Sequence, residues 1–540
     1  MSDQHPAATA DQPQSQPRTP PAAAEPAPAP SSPATAPAGT SSRADQAGAK
    51  APAVPLPAPV SYTTRHETVI DGAPWVYEAT VATAPIATKK ADPAAEVFSA
   101  SFVALPDGKH PDPARPVTFA FNGGPGSSTT FLLLGSIGPR RIAIPEAAPV
   151  PPAPYQLIDN PESLLPATDL VFIDAPGTGF SAIAEEAKAE LWSVDGDVAG
   201  FVAFIRRYLT EHRRWNSPKF ILGESYGTTR GAALSAALLD AGVALNGLVL
   251  LSAILDYAHT VATDDENYIG YFPTYAAIAW YHQRAGRGRP LAEHIAAARE
   301  FASQQLRGAL AQGDALPADA ARAVAERYAE LTGLDPAYIL RSDLRVPDHR
   351  FRKELLRDER KIVGRYDGRI AGYDLDAASD DETFVVDDAF LDPAYSALVN
   401  AYLRDELGWD GRDERHGFAD FDWGSSEPGK GWVWKHRLPE HSRSGWGREV
   451  PYPLVLPDLA NAIVRHPGLR VLVANGYYDQ ATPFHQTEYD LRHLGLPPQL
   501  RGNIQRSYYE AGHMVYTSGP ALRKFAADLR RFYAGEAVAG

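Results

Sequence analysis

The chain has 540 residues, 44% hydrophobic and 22% charged, which is enough for a large catalytic core plus a sizeable insertion. Its net charge of −15, with no cluster of Lys and Arg escaping the acidic surroundings, argues against nucleic acid as a partner, because phosphate binding needs a basic stripe. The absence of cysteine excludes thiolate catalysis, cysteine-based zinc sites and disulfides, and no metal or cofactor is expected.

Residues 1–60 are dominated by Pro, Ala, Ser and Thr, with Gln early on. Such a segment cannot bury enough apolar surface to offset its ordering entropy, so a disordered tail is expected. The N-terminus lacks a charged region followed by an apolar one, so no signal peptide is read. The chain is expected in the cytoplasm, or in the periplasm or medium if its true start lies elsewhere. No apolar stretch is long enough to span a membrane.

From Ser61 the pattern changes to short alternating runs. Thr68–Ile70, Trp75–Val81 and Val97–Val103 read as antiparallel strands. Continuous apolar runs follow at Val117–Phe121, Leu170–Ile173, Phe220–Leu222, Leu248–Leu251 and Leu469–Val473. Strands of that kind, with helical segments between them, indicate a mainly parallel sheet covered on both faces. Trp192–Thr210 and Tyr226–Ala241 read as covering helices. Between about 256 and 450 the strand rhythm stops. Leu291–Leu310, Pro317–Thr332 and Phe384–Leu407 read as helices there. Asp420–Trp446 reads as a loop-rich stretch whose Trp423, Trp432, Trp434 and Trp446 pack locally or line a pocket. The expected division is a first core part at 61–255, a mostly helical cap at 256–450 and a second core part at 451–540.

Gly223-Glu224-Ser225-Tyr226-Gly227 follows a buried strand and opens a helix, the layout of a nucleophile elbow that leaves a serine hydroxyl exposed at the strand end. A serine hydroxyl needs a base, and the base an orienter. In α/β-hydrolases these follow in the order Ser, acid, His. Asp479 closes Leu472-Val-Ala-Asn-Gly-Tyr-Tyr-Asp479, a buried strand ending in a Gly-containing turn. His513 lies in a loop after another strand and before the terminal helix Gly519–Tyr533. Both positions fall at the carboxyl edge of the sheet, where sites of α/β proteins form. The oxyanion would be held by the amide of Tyr226 and one from Asn122-Gly-Gly-Pro-Gly-Ser-Ser128, with Gly124 as donor. The loop lacks the lysine of a phosphate-binding loop.

Asn122–Ser128, Gly138-Pro139, Ile173–Ser181, Gly223–Gly227, Asn475–Asp479 and Ala511–Val515 together resemble the serine carboxypeptidases, peptidase family S10. The segment Tyr271–His282 is similar to the cap of bacterial members. The resemblance implies an α/β-hydrolase fold with a cap insertion. It also implies an exopeptidase that releases C-terminal residues through an acyl-enzyme, with peptides bearing a free terminal carboxylate as partners. Asn122, the Gly123 amide and Glu224 would hold that carboxylate. Glu224 can do so only as the protonated acid, which implies a raised pKa and a preference for mildly acidic pH. Ala120, Ser127 and Thr228 stand where better-known members carry Trp, Cys and Gly. Ser136 stands where they carry a Glu that supports the carboxylate-binding pair. Two other readings are an esterase or acyltransferase on the same scaffold, and an inactive binding protein.

Overall fold

The computed structural model describes residues 56–410, 431–440 and 448–538, together with Pro428 and Ser442. Most of the Pro/Ala-rich tail, as well as Trp423 and Trp446, lies outside the described residues. The first strands, β1 (Ser61–Ile70) and β2 (Ala73–Ile86), form a hairpin in which Ile70 pairs with Ala73. Asp71 and Gly72 make the turn with φ of 51° and 76°. Two positive φ values match the twist of the flanking strands, and an Asp-Gly pair accepts them at little cost. Both strands run well beyond the apolar runs read from sequence, because β1 keeps one face toward solvent and carries Ser, Thr, Arg and Glu there.

The sheet continues with β3 (Ala95–Ala104), β4 (Val117–Phe121), β5 (Asp169–Ile173), β6 (Lys219–Glu224), β7 (Gly247–Leu251), β8 (Arg470–Gly476) and β9 (Ile504–Tyr509). Its spatial order is β1-β2-β3-β5-β4-β6-β7-β8-β9. The pairs from β1 to β5 are antiparallel and those from β5 to β9 are parallel. Strands β4 to β7 are buried along their whole length, and their sequences are apolar apart from Thr118, Asp169, Lys219 and Glu224.

Helices cover both faces of this sheet. Helix α1 (Val194–Glu211) starts two residues later than Trp192, because the Ser193 hydroxyl accepts the Gly196 amide at 3.0 Å and caps the helix. Helix α2 (Tyr226–Asp240) follows β6 directly. Beyond β7 come α3 (Asp265–Tyr281), α4 (Leu291–Phe301), α5 (Ala318–Thr332) and α6 (Val386–Ala401). Helices α3, α4 and α5 share a core of their own around Phe272, Phe301 and Tyr328. The single helix expected over Leu291–Leu310 is interrupted by a π-helical turn at Ala302–Leu306, which buries Ala302 and Leu306 in that core. A second π turn at Tyr402–Glu406 extends α6.

Helix α7 (Leu456–Arg465) and the C-terminal α8 (Gly519–Ala534) return to the sheet. Alternation along β6 and β7 splits their side chains between two cores. Phe220, Leu222, Val249 and Leu251 meet Phe525 and Leu529 of α8. Ile221, Leu248 and Leu250 meet Phe201 of α1, Leu234 of α2 and Leu459 of α7. No helix among the described residues is long and apolar enough to cross a membrane.

Candidate active site

Ser225 sits between β6 and α2 with φ 61° and ψ −129°, a conformation that costs a β-carbon residue about 1–3 kcal/mol. Its amide donates to the Leu251 carbonyl at 3.0 Å, and its carbonyl accepts the Thr228 amide at 2.8 Å. The strained residue is therefore the serine itself. The flanking glycines are needed for space rather than for a special φ. A Cβ at Gly223 would collide with the Gly227 carbonyl, and one at Gly227 would lie 2.8 Å from the Phe121 carbonyl.

Asp479 lies three residues beyond the end of β8, and His513 lies in the loop after β9. The Asp479 side chain is wholly buried and fully partnered. Its Oδ1 accepts the amides of Ala481 at 2.8 Å and Thr482 at 2.9 Å. Its Oδ2 lies 2.7 Å from the Thr482 hydroxyl and 2.8 Å from His513 Nδ1. A carboxylate only accepts, so Nδ1 carries the hydrogen and Nε2 is left as the basic nitrogen. Burial alone would lower the His513 pKa, but the Asp479 carboxylate lifts it above the ordinary imidazole value. The ring is fixed through its backbone as well. The His513 amide donates to the Tyr366 carbonyl at 2.5 Å, and its carbonyl accepts the Ser252 hydroxyl at 2.5 Å. Thr482, Tyr366 and Ser252 carry no local signature and were not expected from sequence.

Ser225, His513, Glu224, Asn122, Gly123 and Gly124 all line one cleft of about 710 Å³. The loop after β4 is pressed onto the elbow. A Cβ at Gly123 would stand 2.5 Å from the Tyr226 nitrogen and 2.8 Å from the Ser225 Cβ, so only glycine fits there. Gly124 adopts φ 102°. Asn122 Oδ1 accepts the Leu132 amide at 3.1 Å, which leaves Nδ2, a donor only, to its neighbour Glu224. Glu224 is buried. Burial pushes its carboxyl up to about 7, while the charge of His513 and hydrogen bonds from Tyr516 and Asn122 pull the other way. Tyr516 Oη donates to Glu224 Oε2 at 2.8 Å. Ser136 makes no such contact, because its hydroxyl donates to the Leu132 carbonyl at 2.6 Å.

Beneath the elbow, Arg230 of α2 is buried with its Nε 2.6 Å from Asp197 Oδ2 of α1. Its Nη1 donates to the Asn122 carbonyl at 2.8 Å, tying the loop after β4 to α2. Removing one member of such a pair strands the other charge in the interior, at a cost of about 3–5 kcal/mol. Arg230→Met is therefore expected to lower stability by about that amount in urea titration. Unchanged stability would show that the pair is not buried as described.

The strap Gly431–Leu438 closes one flank. Val433 exchanges backbone hydrogen bonds with Trp192 and Val194. His436 is held between Asp195, 2.7 Å from Nδ1, and Asp458, 3.0 Å from Nε2. Against the effect of burial, the two carboxylates lift its pKa to about 9. The strap sets Trp432 edge-on to Tyr226 with ring centres 5.4 Å apart, and it sets Trp434 in the cleft wall. Of the four tryptophans singled out in the sequence, one of the two described lines the cleft and the other packs behind it.

A mainly parallel sheet, helices on both faces and a serine elbow at the carboxyl edge define the class as α/β hydrolase. Residues 102–284 match the model of the serine carboxypeptidase family. Among solved structures, Kex1(delta)p, a prohormone-processing carboxypeptidase from Saccharomyces cerevisiae, superposes with a TM-score of 0.51 at 15% identity, over 85% of this chain and 91% of that one. The proline iminopeptidase of Mycobacterium smegmatis gives a TM-score of 0.34 at 14% identity over 84% and 98%. MGS-M2, an α/β hydrolase from a Medee basin deep-sea metagenome library, gives 0.35 at 11% over 83% and 96%. No match was found among curated proteins.

Proposed function

We propose that the protein releases C-terminal amino acids from peptides through an acyl-enzyme on Ser225, with His513 as base and Asp479 as its orienter. His513 Nε2 takes the proton of the Ser225 hydroxyl as the oxygen attacks the last peptide carbonyl. The amides of Gly124 and Tyr226 receive the oxyanion. His513 then returns the proton to the departing amino acid, and water hydrolyses the ester by the same steps in reverse. The terminal carboxylate of the substrate is received by Asn122 Nδ2, the Gly123 amide and the protonated Glu224.

The observation that carries this reading is Glu224. A buried carboxyl pushed up to about 7, beside the Asn122 amide and next to Ser225, is a hydrogen-bond donor suited to another carboxylate.

The sign of the pH dependence follows. Below about 7 Glu224 is neutral and donates, and above it the carboxylate repels the substrate's own. KM for an N-blocked dipeptide with a free carboxylate is expected to rise about tenfold per pH unit above that point. KM for the same dipeptide amidated at its C-terminus is expected to stay level. Release of the terminal residue from both substrates, followed across acidic and neutral pH, checks this. Equal handling of acid and amide, or turnover of esters alone, would instead assign the site to an esterase or acyltransferase.

A further inference from the structure

Glu224 has two side-chain hydrogen-bond partners, Asn122 and Tyr516. Tyr516 lies in the single 3₁₀ turn Val515–Thr517 that follows His513. Both it and Glu224 are almost completely buried. The ring is locked from below. A Cβ at Gly135 would stand 2.6 Å from Tyr516 Cδ2 and 2.5 Å from the hydroxyl of Tyr395 on α6. We propose that Tyr516 is the positioning residue of the carboxylate site, fixing which oxygen of Glu224 bears the acid hydrogen.

The argument rests on donor counting. A protonated carboxyl has one carbonyl oxygen and one hydroxyl, and in a symmetric setting either oxygen can be either. Tyr516 Oη donates to Oε2, so Oε2 is the acceptor and the acid hydrogen is placed on Oε1. A second carboxyl in this place could donate only while itself protonated. A tyrosine donates at every pH at which the enzyme works, because burial and the neighbouring Glu224 hold its own pKa well above the ordinary value. Tyr516 also brings no charge, so burial is the leading cause of the raised pKa of Glu224. The charged and titratable groups acting on the pair are His513 and Asp479 toward Glu224 and Tyr395 toward Tyr516, with Arg141 acting on Tyr395 in turn. All of them stay in place when only the Tyr516 hydroxyl is removed.

The inference rests on the proposed carboxylate site, and the test separates the two. Tyr516→Phe, Glu224→Met and the double variant are compared on an N-blocked dipeptide and on its methyl ester, which lacks the carboxylate. Tyr516→Phe is expected to raise KM for the free acid about five- to tenfold, the worth of one hydrogen bond. The loss on the methyl ester should be several-fold smaller. The alkaline limb for the free acid should move to higher pH, because a bond that favoured ionised Glu224 is gone. The double variant should lose no more than Glu224→Met alone, since a residue acting only through Glu224 has nothing left to position. Equal losses on acid and ester without a shifted limb, or additive losses in the double variant, overturn the role of Tyr516. A Glu224→Met variant that keeps its full preference for the free acid overturns the carboxylate site and Tyr516 with it.

Discussion

Ser225→Ala is expected to lower turnover of an N-blocked dipeptide by about 10⁶-fold, the scale seen when the serine of such a triad is removed. The fold should persist. Ser225 makes no side-chain capping bond to α2, so losing the hydroxyl strands no buried partner. Alanine keeps the β-carbon, so the positive φ at the elbow costs no more than it already does. The variant should also fail to react with a serine-directed fluorophosphonate while unfolding at the same denaturant concentration as the parent. Turnover within tenfold of the parent would remove Ser225 from the mechanism.

Asp479→Asn is the second large effect, a fall in kcat of about 10⁴ with the structure intact. The hydrogen bonds around Asp479 dictate how the amide would sit. Oδ1 accepts two backbone N–H groups, from Ala481 and Thr482, so the amide oxygen must stay on that side. The amide NH₂ then faces His513 Nδ1 and forces it to accept. The ring hydrogen moves to Nε2, which can no longer take the proton of Ser225. A loss of less than about tenfold would mean that Asp479 merely supports the loop after β8. Because Nδ1–H and the Thr482 hydroxyl share Oδ2, Thr482→Val should cost far less than Asp479→Asn.

Much of this was legible along the chain. The buried strands β4 to β8 announce themselves as largely apolar runs, because a sheet covered on both faces leaves few positions for a polar side chain along the middle of a strand. The elbow is legible for a related reason: Gly223 and Gly227 are required by backbone packed against backbone. Strand β1 is only partly legible, because half of its residues face water and break the apolar signal. The π turn at Ala302–Leu306 is hidden in the sequence, because it leaves the helical spacing of Ala, Leu and Arg almost unchanged.

The partners that tune the site were not legible in this way. Tyr516 lies 292 residues from Glu224, and His436 lies 241 residues from Asp195. Ser252 and Tyr366 hold His513 through backbone atoms, which leave no mark on residue type. Sequence by itself determined the strands, the elbow and the placing of Ser225, Asp479 and His513 just beyond strand ends, since each follows from the local burial pattern or from close backbone approach. Only the tertiary structure decided which hydroxyl meets Glu224, which tryptophan reaches the cleft and how His513 is oriented. Those choices depend on loops brought together by packing, where the energy lies in pairings between distant residues that no local preference encodes.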